Sequence, residues 1–417
     1  MEVVYNICCG LDVHKKIIVA CLRKGKKEEV REFRSTSKEI RELAEWLKTN
    51  GCEMIAMEST SVYWKPLVNI FEEENLEYMV VNASEVKTRP GRKTDTLDSQ
   101  WICQLLRVGM LRASYIPTKE QRELRVATRY RKKLVEERAR NLNRLQDHLE
   151  GANIKLSAVV SDIDGVTSLR LLDYVLNHEE AIDEAKAKEL IITRISASVE
   201  EIVEAMDGII TPFQKAMIKE IIKHMNDLAD SIRRMDEIIE AYMTEYEYAI
   251  KKLMQIPGIG QKTAEVILAE TGLDMSRFET SKHFAAWAGV SPGNNESAGK
   301  RKNAKSTKGN KTLKSTLVQA AISASKNKSS FFYAKKQRIA VRRGKKRANL
   351  AVAHSILIVI YHMLKDDADF RDLGSDYYNQ FNTEQKANSY IKKLRSLGCN
   401  VEVTDEVIKV TKVAKVA

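Results

Sequence analysis

Apolar residues recur along this chain with two periods, and the switch between them marks its organisation. Residues 3–14 (VVYNICCGLDVH) form a β-rich run, KIIVACL a second, and EEVREFRS a third with period-two alternation, as an antiparallel meander requires. Strand and helix patterns then take turns. Ser37 opens a helical repeat in KEIRELAEWLKTN that stops at Asn50-Gly51; EMIAME reads as a short buried strand, WKPLVNIFEEEN as a helix and EYMVVN as another strand. A helix over residues 96–108 closes this α/β segment.

Beyond it the period is helical. Leu124, Val135, Leu142, Leu145 and Leu149 predict a long helix over 119–150, but Arg131 and Arg138 interrupt the same seam and leave a basic face. A second long helix, over 214–243, carries Ile221, Met225, Leu228, Ile232, Met235, Ile239 and Tyr242 at alternating spacings of three and four. Such a stripe needs a partner. The Arg-rich helix could fold back on it as a hairpin, or a second copy could pair with it as a coiled coil; a repeat sustained over three heptads favours the second.

MQIPGIGQKTAEVILAETG then follows the helix-hairpin-helix pattern, in which backbone N–H groups around Gly258 and Gly260, with Lys262 beside them, hold a phosphate. A glycine-capped helix junction is the plainer alternative. Six Lys or Arg from Lys300 to Lys311, spaced by Gly, Ser and Asn, predict a polar basic loop entering a helix near Thr312. Arg342, Arg343, Lys345, Lys346 and Arg347 form another basic cluster, before an apolar helix that reads as too short and too His-interrupted to span a membrane. The expected divisions are 1–115, an α/β domain; 116–248, a helical coiled-coil region; 249–366, a second helical domain; and 367–417, a small appended α/β unit of unassigned role.

Composition narrows the partner. Lys and Arg outnumber Asp and Glu by 69 to 57, a formal charge of +12 in 417 residues, which favours a polyanion, nucleic acid above all. Met1 to Gly10 lacks the regions of a signal peptide, so a cytoplasmic, nucleoid-associated protein without a membrane partner is expected. The six cysteines show neither a Cys-x-x-Cys pair nor zinc-finger spacing, and read as reduced, mostly buried thiols.

Four carboxylates stand at informative places. Asp12 follows the first strand's apolar run, Glu58 ends EMIAME, and Asp95 and Asp98 lie one turn apart in KTDTLDSQW, on one face of a helix start. Neighbouring strand ends would bring Asp12 and Glu58 to one sheet edge. Such a cluster repels itself unless cations sit within it, and Mg²⁺ with oxygen ligands is the natural one; two such ions about 4 Å apart serve phosphodiester cleavage. Lys15, Arg92 and Lys93 would then contact phosphates, and His14 could do so too. Singly, each has a plainer reading: Asp98 as a solvated helix residue, Asp12 as a turn former, the cations as surface charge.

GLDVHK, MESTSVYWKPL, KTDTLDSQWICQLLRVGMLRASYIP, IPGIGQKTAEVILAETG and AGVSPGNNESAGKRKNAKSTKGNKTLK occur in that order, and together they resemble the DEDD-type transposases of the IS110 family of insertion sequences. The resemblance runs from about Ile7 to Leu364. It implies an RNase H-like N-terminal domain, similar to Holliday-junction resolvases, with metal ligands at Asp12, Glu58, Asp95 and Asp98, and a C-terminal transposase domain that supplies a nucleophilic serine. It further implies donor and target DNA recognised through a structured bridge RNA, a tetramer built as a dimer of dimers, and strand exchange through covalent phosphoserine intermediates.

Ser297 matches the family's Ser-Gly position, with Ala298 inserted, and Ser291 and Ser306 are the alternatives. Lys300 and Arg301 beside Ser297 would offset phosphate charge, and Lys308 and Asn310 continue the basic segment. Arg129, Arg131, Lys132 and Arg138 on the first long helix are expected to hold RNA backbone. A metal-dependent junction-resolving endonuclease is the competing function; it needs the carboxylates and no serine.

Overall fold

The computed structural model describes residues 2–59, 61–82, 86, 95–293, 295–297, 300–303, 306–379, 383–403 and 408–412, with residues 95, 295–297, 300–303, 379, 383–386, 403, 408 and 412 described through their backbone. The chain divides into two units, residues 1–120 and 121–417.

In the first unit, β1 (Ile7–Val13), β2 (Ile17–Lys24), β3 (Lys27–Arg34), β4 (Met54–Glu58) and β5 (Tyr78–Val81) form one sheet in the order β3-β2-β1-β4-β5. β1, β2 and β3 are antiparallel, whereas β4 and β5 run parallel to β1. This mixed sheet is the meander followed by βα units that the periodicity predicts, consistent with an RNase H-like domain. Alternation along β1 decides which layer each residue joins. Cys9, Leu11 and Val13 pack with Leu43 and Leu47 of α1 (Ser37–Thr49) and Leu67 and Phe71 of α2 (Trp64–Glu73). Cys8, with Ala56 of β4, packs instead against Ile102, Cys103 and Leu106 of α3 (Asp95–Arg107). All six cysteines are free thiols and four are buried, as expected.

The second unit takes over within α4 (Lys119–Gly151). The region expected as a helical coiled-coil region contains four short helices besides its two long ones, α5 (Leu156–Val159), α6 (Val166–Asn177), α7 (Glu184–Leu190) and α8 (Val199–Met206). α9 (Pro212–Tyr242) starts at a Thr211/Gln214 capping box with Pro212 in its first turn; the cap stabilises the start by about 1 kcal/mol. Its stripe is covered from within the chain. Ile218, Ile221 and Met225 bury with Leu145 and Leu149 of α4 and with the short helices, while Ile239 joins Leu124 in a second core. The hairpin is therefore the partner this chain provides, and Tyr242, expected in the stripe, is 62% exposed.

α10 (Glu247–Leu253), α11 (Gln261–Thr271), α12 (Ser281–Trp287), α13 (Lys311–Ala324), α14 (Phe331–Arg343) and α15 (Lys345–Lys365) share the second core, with Leu253, Ile267, Phe284, Leu317 and Leu357 fully buried. Two expectations change here. α15 runs 21 residues and is long and apolar enough, by length and composition, to cross a membrane; its Val352, Ile356, Leu357 and Ile360 are nonetheless buried against this bundle. The segment read as a basic loop forms a two-stranded ribbon of β6 (Asn295–Ser297) and β7 (Lys300–Asn303). Backbone pairing, which needs no apolar alternation, accounts for the difference. The C-terminal stretch has the expected helix α16 (Thr383–Ser396) and paired strands β8 (Cys399–Val403) and β9 (Ile408–Lys412).

Candidate active site

The β1–β4 register brings two of the predicted carboxylates together. Cys8 pairs with Met54, Gly10 with Ala56 and Leu11 with Met57, so one further step sets Asp12 beside Glu58 on adjacent parallel strands. Both share the parity of Gly10 and Ala56, which places them on the α3 face of the sheet. α3 runs antiparallel to β1: the Arg107 carbonyl accepts from Val4 N–H at 2.8 Å, and Ser99 and Cys103 lie over Gly10. The end of α3 that carries Asp95 and Asp98 thus lies toward the Asp12 end of the strand.

The approach is very close. A Cβ on Gly10 would stand 2.3 Å from Cys103 N and 2.4 Å from Ser99 O, so only glycine lets the helix lie this deep. Asp12 is 9% exposed and its Oδ2 is 3.1 Å from His14 Nε2; Glu58 and Asp98 are half-buried. Lys15 is exposed on the β1–β2 turn. Among the described residues no three His, Cys, Asp or Glu side chains stand together as a metal site; the Asp95 side chain, Arg92 and Lys93 lie outside them.

In the second unit Ser297 is the last residue of β6, its backbone paired with Lys300, and Arg301 pairs with Glu296. The ribbon rises from a base pinned by the Pro292–Ser306 bridge and by Thr307 N–H donating to Ser291 O at 3.1 Å. At that base Lys314 Nζ lies 2.6 Å from Ser306 Oγ. The Ser306 hydroxyl thus has an amine neighbour, the pairing that Ser–Lys nucleophiles use, while the side chain of Ser297 lies outside the described residues. The sequence held no sign of it, because the contact spans one turn into α13.

The α4 arginines have partners that the sequence did not reveal. Arg129 forms a two-point pair with Glu270, Nε–Oε1 2.6 Å and Nη2–Oε2 2.8 Å, and the Glu270 side chain is fully buried. Arg125 Nε lies 3.4 Å from the same carboxylate, and Asn310 Nδ2 donates to it at 2.6 Å. Asn310 also caps α13, its Oδ1 accepting from Leu313 N–H at 3.1 Å. Arg131 and Lys262 share Asp236, at 2.5 and 3.0 Å. Burial acts to raise that carboxyl's pKa, but the two cations outweigh it and hold it below the ordinary aspartate value. Arg138 pairs with Asp164 at 2.5 Å, Lys132 with Ser315 Oγ, and Lys308 is exposed.

Gly258 and Gly260 occupy the turn between α10 and α11. Gly258 has φ +85°, and a Cβ there would lie 2.5 Å from Ala320 O and 2.7 Å from Ala324 N, so it is required for packing against α13. Gly260, by contrast, faces open space at the start of α11.

Comparison with known proteins gives this geometry a context. Residues 9–154 match the DEDD transposase model of the IS110 type, described as Transposase, and residues 250–336 match the model described as Transposase IS116/IS110/IS902 family. The "Probable family 20 transposase" of Pseudomonas aeruginosa is 25% identical over 320 residues, 75% of this chain and 78% of that one. Pilin gene-inverting proteins of Moraxella lacunata and Moraxella bovis are each 27% identical over 164 residues, covering 38% of this chain and 50% of theirs.

Proposed function

Since this chain belongs to the IS110 family of transposases, and is thus a DNA transposase or recombinase, we propose that it cleaves and rejoins DNA at donor and target sites through a serine-linked intermediate, guided by a structured RNA. The observation that carries the chemistry is the β1–β4 register, which sets Asp12 beside Glu58 although 45 residues lie between them. Their donors are carboxylate oxygens on one sheet face toward the Asp95–Asp98 end of α3, a set that suits a hard divalent cation. Asp12, Glu58, Asp95 and Asp98 would hold Mg²⁺, which when bound offsets charge on the phosphate and on the departing oxygen.

Ser297 Oγ attacks the scissile phosphorus: the hydroxyl gives up its proton as the Oγ–P bond forms, the bond from phosphorus to the leaving strand's oxygen breaks, and that oxygen leaves as a hydroxyl by taking up one proton, so no net proton is gained or lost. Attack of another strand's hydroxyl on the phosphoserine reverses these steps and releases the serine. Lys15, Arg92, Lys93, Lys300, Arg301 and Lys308 would neutralise backbone phosphates. The α10–α11 turn would act as a helix-hairpin-helix, offering backbone N–H groups near Gly260 to a phosphate, and α4 would contribute to RNA binding. The subunits would assemble as a dimer of dimers.

Trapping of a covalent protein–DNA adduct, with its peptide mapped by mass spectrometry, tests the serine. Loss of the adduct in Ser297→Ala and retention in Ser306→Ala is expected. An adduct on the Ser306 peptide would transfer the role to the Lys314-contacted hydroxyl, and metal-dependent cuts without any adduct would favour a junction-resolving endonuclease. Copurification of one discrete RNA species supports guidance; full activity after ribonuclease treatment refutes it.

A further inference from the structure

The cations of the second unit fall into two classes. Arg125, Arg129, Arg131, Arg138 and Lys262 face carboxylates. A cleft of about 440 Å³ between α14, α15 and the ribbon base is different: Lys335, Arg342, Arg343 and Arg347 line it, and among the described residues no Asp or Glu does. Lys335 and His354 are half-buried within it and the three arginines are exposed. The Lys335 ammonium donates to the neutral Ser355 Oγ and lies 5.6 Å from the Phe331 ring centre. Burial lowers its pKa, and burial together with Lys335 lowers that of His354. Like charges concentrated without a counter-charge are held apart only by solvent, so the cleft is organised for an anion.

Its walls add a second property. Val290, Ile339, Leu350 and Ala351 give the cationic cleft an apolar side, and its volume is in the range of small-ligand sites. A charged phosphate joined to a flat, less polar sugar and base matches both. The cleft is also built partly from Pro292, Gly293 and Ser306, which form the base of the Ser297 ribbon. From Pro292 to Ser297 is five residues, at most about 17 Å of extended strand. At about 3.4 Å per base pair that equals roughly five base pairs of duplex.

We propose that this cleft is an anchoring site for one nucleotide unit of the DNA strand, within about five base pairs of the cleaved bond, with Arg342, Arg343 and Arg347 on its phosphate and Ile339 and Leu350 against its sugar or base. The spacing rests on Ser297 as nucleophile; the anion site itself does not. The arginines position the strand and take no part in bond breaking.

The test is the salt dependence of binding by the full chain to a fluorescent random-sequence duplex of about 30 base pairs, between roughly 50 and 200 mM salt. Arg342→Gln/Arg343→Gln/Arg347→Gln should lower the slope of log Kd against log salt by about 0.9 for each phosphate that these arginines neutralise in the wild type. A charge-matched control, Lys38→Gln/Lys188→Gln/Lys251→Gln, changes side chains that are 87%, 62% and 72% exposed and should leave the slope near wild type. Lys335→Met, which removes the buried charge and keeps the stem, should also lower it. Equal slopes for the arginine variant and the control, at unchanged melting temperature, would overturn the proposal. A slope lowered for an RNA hairpin but not for DNA overturns it too, by assigning the cleft to RNA. Ser297→Ala should keep the wild-type slope while losing the adduct, so failure of the nucleophile assignment and failure of the anchor give different results.

Discussion

Gly10→Ala is the sharpest probe of how the sheet sets the carboxylate site. Gly10 lies mid-strand in β1 and has no positive φ, so by backbone preference alone an alanine would favour the strand by about 0.5–1 kcal/mol. Packing opposes this. The added carbon would meet Cys103 N at 2.3 Å, Ser99 O at 2.4 Å and Cys103 Cα at 2.9 Å, all backbone atoms that no rotamer change can move. Restoring an ordinary contact of 3.4 Å requires α3 to lift by about 1 Å, and overpacking of this kind costs about 1–3 kcal/mol. The steric effect exceeds the propensity effect, so the variant is expected to melt several degrees lower.

Because α3 carries Asp95 and Asp98 and β1 carries Asp12, the same lift separates carboxylates that the proposed metal site needs together. A misplacement near 1 Å typically lowers rate by about 100-fold. Thermal unfolding of the full chain and the rate of covalent adduct formation measure the two effects. The companion Cys103→Ala should not rescue either, since the clash is with the main chain. Wild-type melting and wild-type adduct rate in Gly10→Ala would refute the account of α3 seated on β1.

Gly258→Ala should destabilise by about 1–3 kcal/mol because of its φ of +85° and its contact with α13, whereas Gly260→Ala, facing open space, should melt as wild type; equal melting temperatures would refute this division. Glu270→Ala leaves Arg125, Arg129 and Asn310 without their shared acceptor, and denaturant unfolding should show a decrease of roughly 3 kcal/mol, tempered by the 46% exposure of the Arg129 side chain. Burial and Lys335 depress the His354 pKa below its ordinary value of 6.5. The unfolded chain then binds this proton more readily, so stability is intact above pH 6.5 and declines as pH falls through the window below it. His354→Gln should flatten that decline in thermal melts, and an unchanged pH profile would refute the assignment.

How much of this was legible in the sequence depends on the length scale of the signal. Short apolar runs located β1, β2, β4 and β5 and put Asp12 and Glu58 near strand ends, because strands buried on both faces read as continuous apolar stretches; the alternation in EEVREFRS located β3, which the structure leaves exposed along almost its whole length. That the two carboxylates stand side by side follows from a parallel register, which no local pattern encodes. Helical periods of three and four found α4 and α9, but not that α9's stripe would be covered within the chain; the same stripe suits either partner. The α5–α8 region went unread because helices of four to twelve residues are too short to establish a period. The Ser297 ribbon was missed because Gly, Asn and Lys carry no strand alternation.

Charge was the least legible property, and the reason bears on function. A formal charge of +12 points to a polyanion but says nothing of which cations can reach it. Arg129 and Arg131 looked like the basic face of an RNA-binding helix, yet Glu270 and Asp236, more than 100 residues away in sequence, already occupy their guanidinium edges. Pulling Arg129 away would leave Glu270 sharing only Arg125 and Asn310 in a site closed to solvent, at a cost of several kcal/mol, whereas one exposed phosphate contact returns about 1 kcal/mol. On the proposed reading, nucleic acid would meet α4 only through whatever edges those pairs leave open, and would gain more where a cation has no carboxylate to give up. The cleft of Lys335, Arg342, Arg343 and Arg347 meets that condition, so substitutions there should weaken binding more than the same number of substitutions along α4.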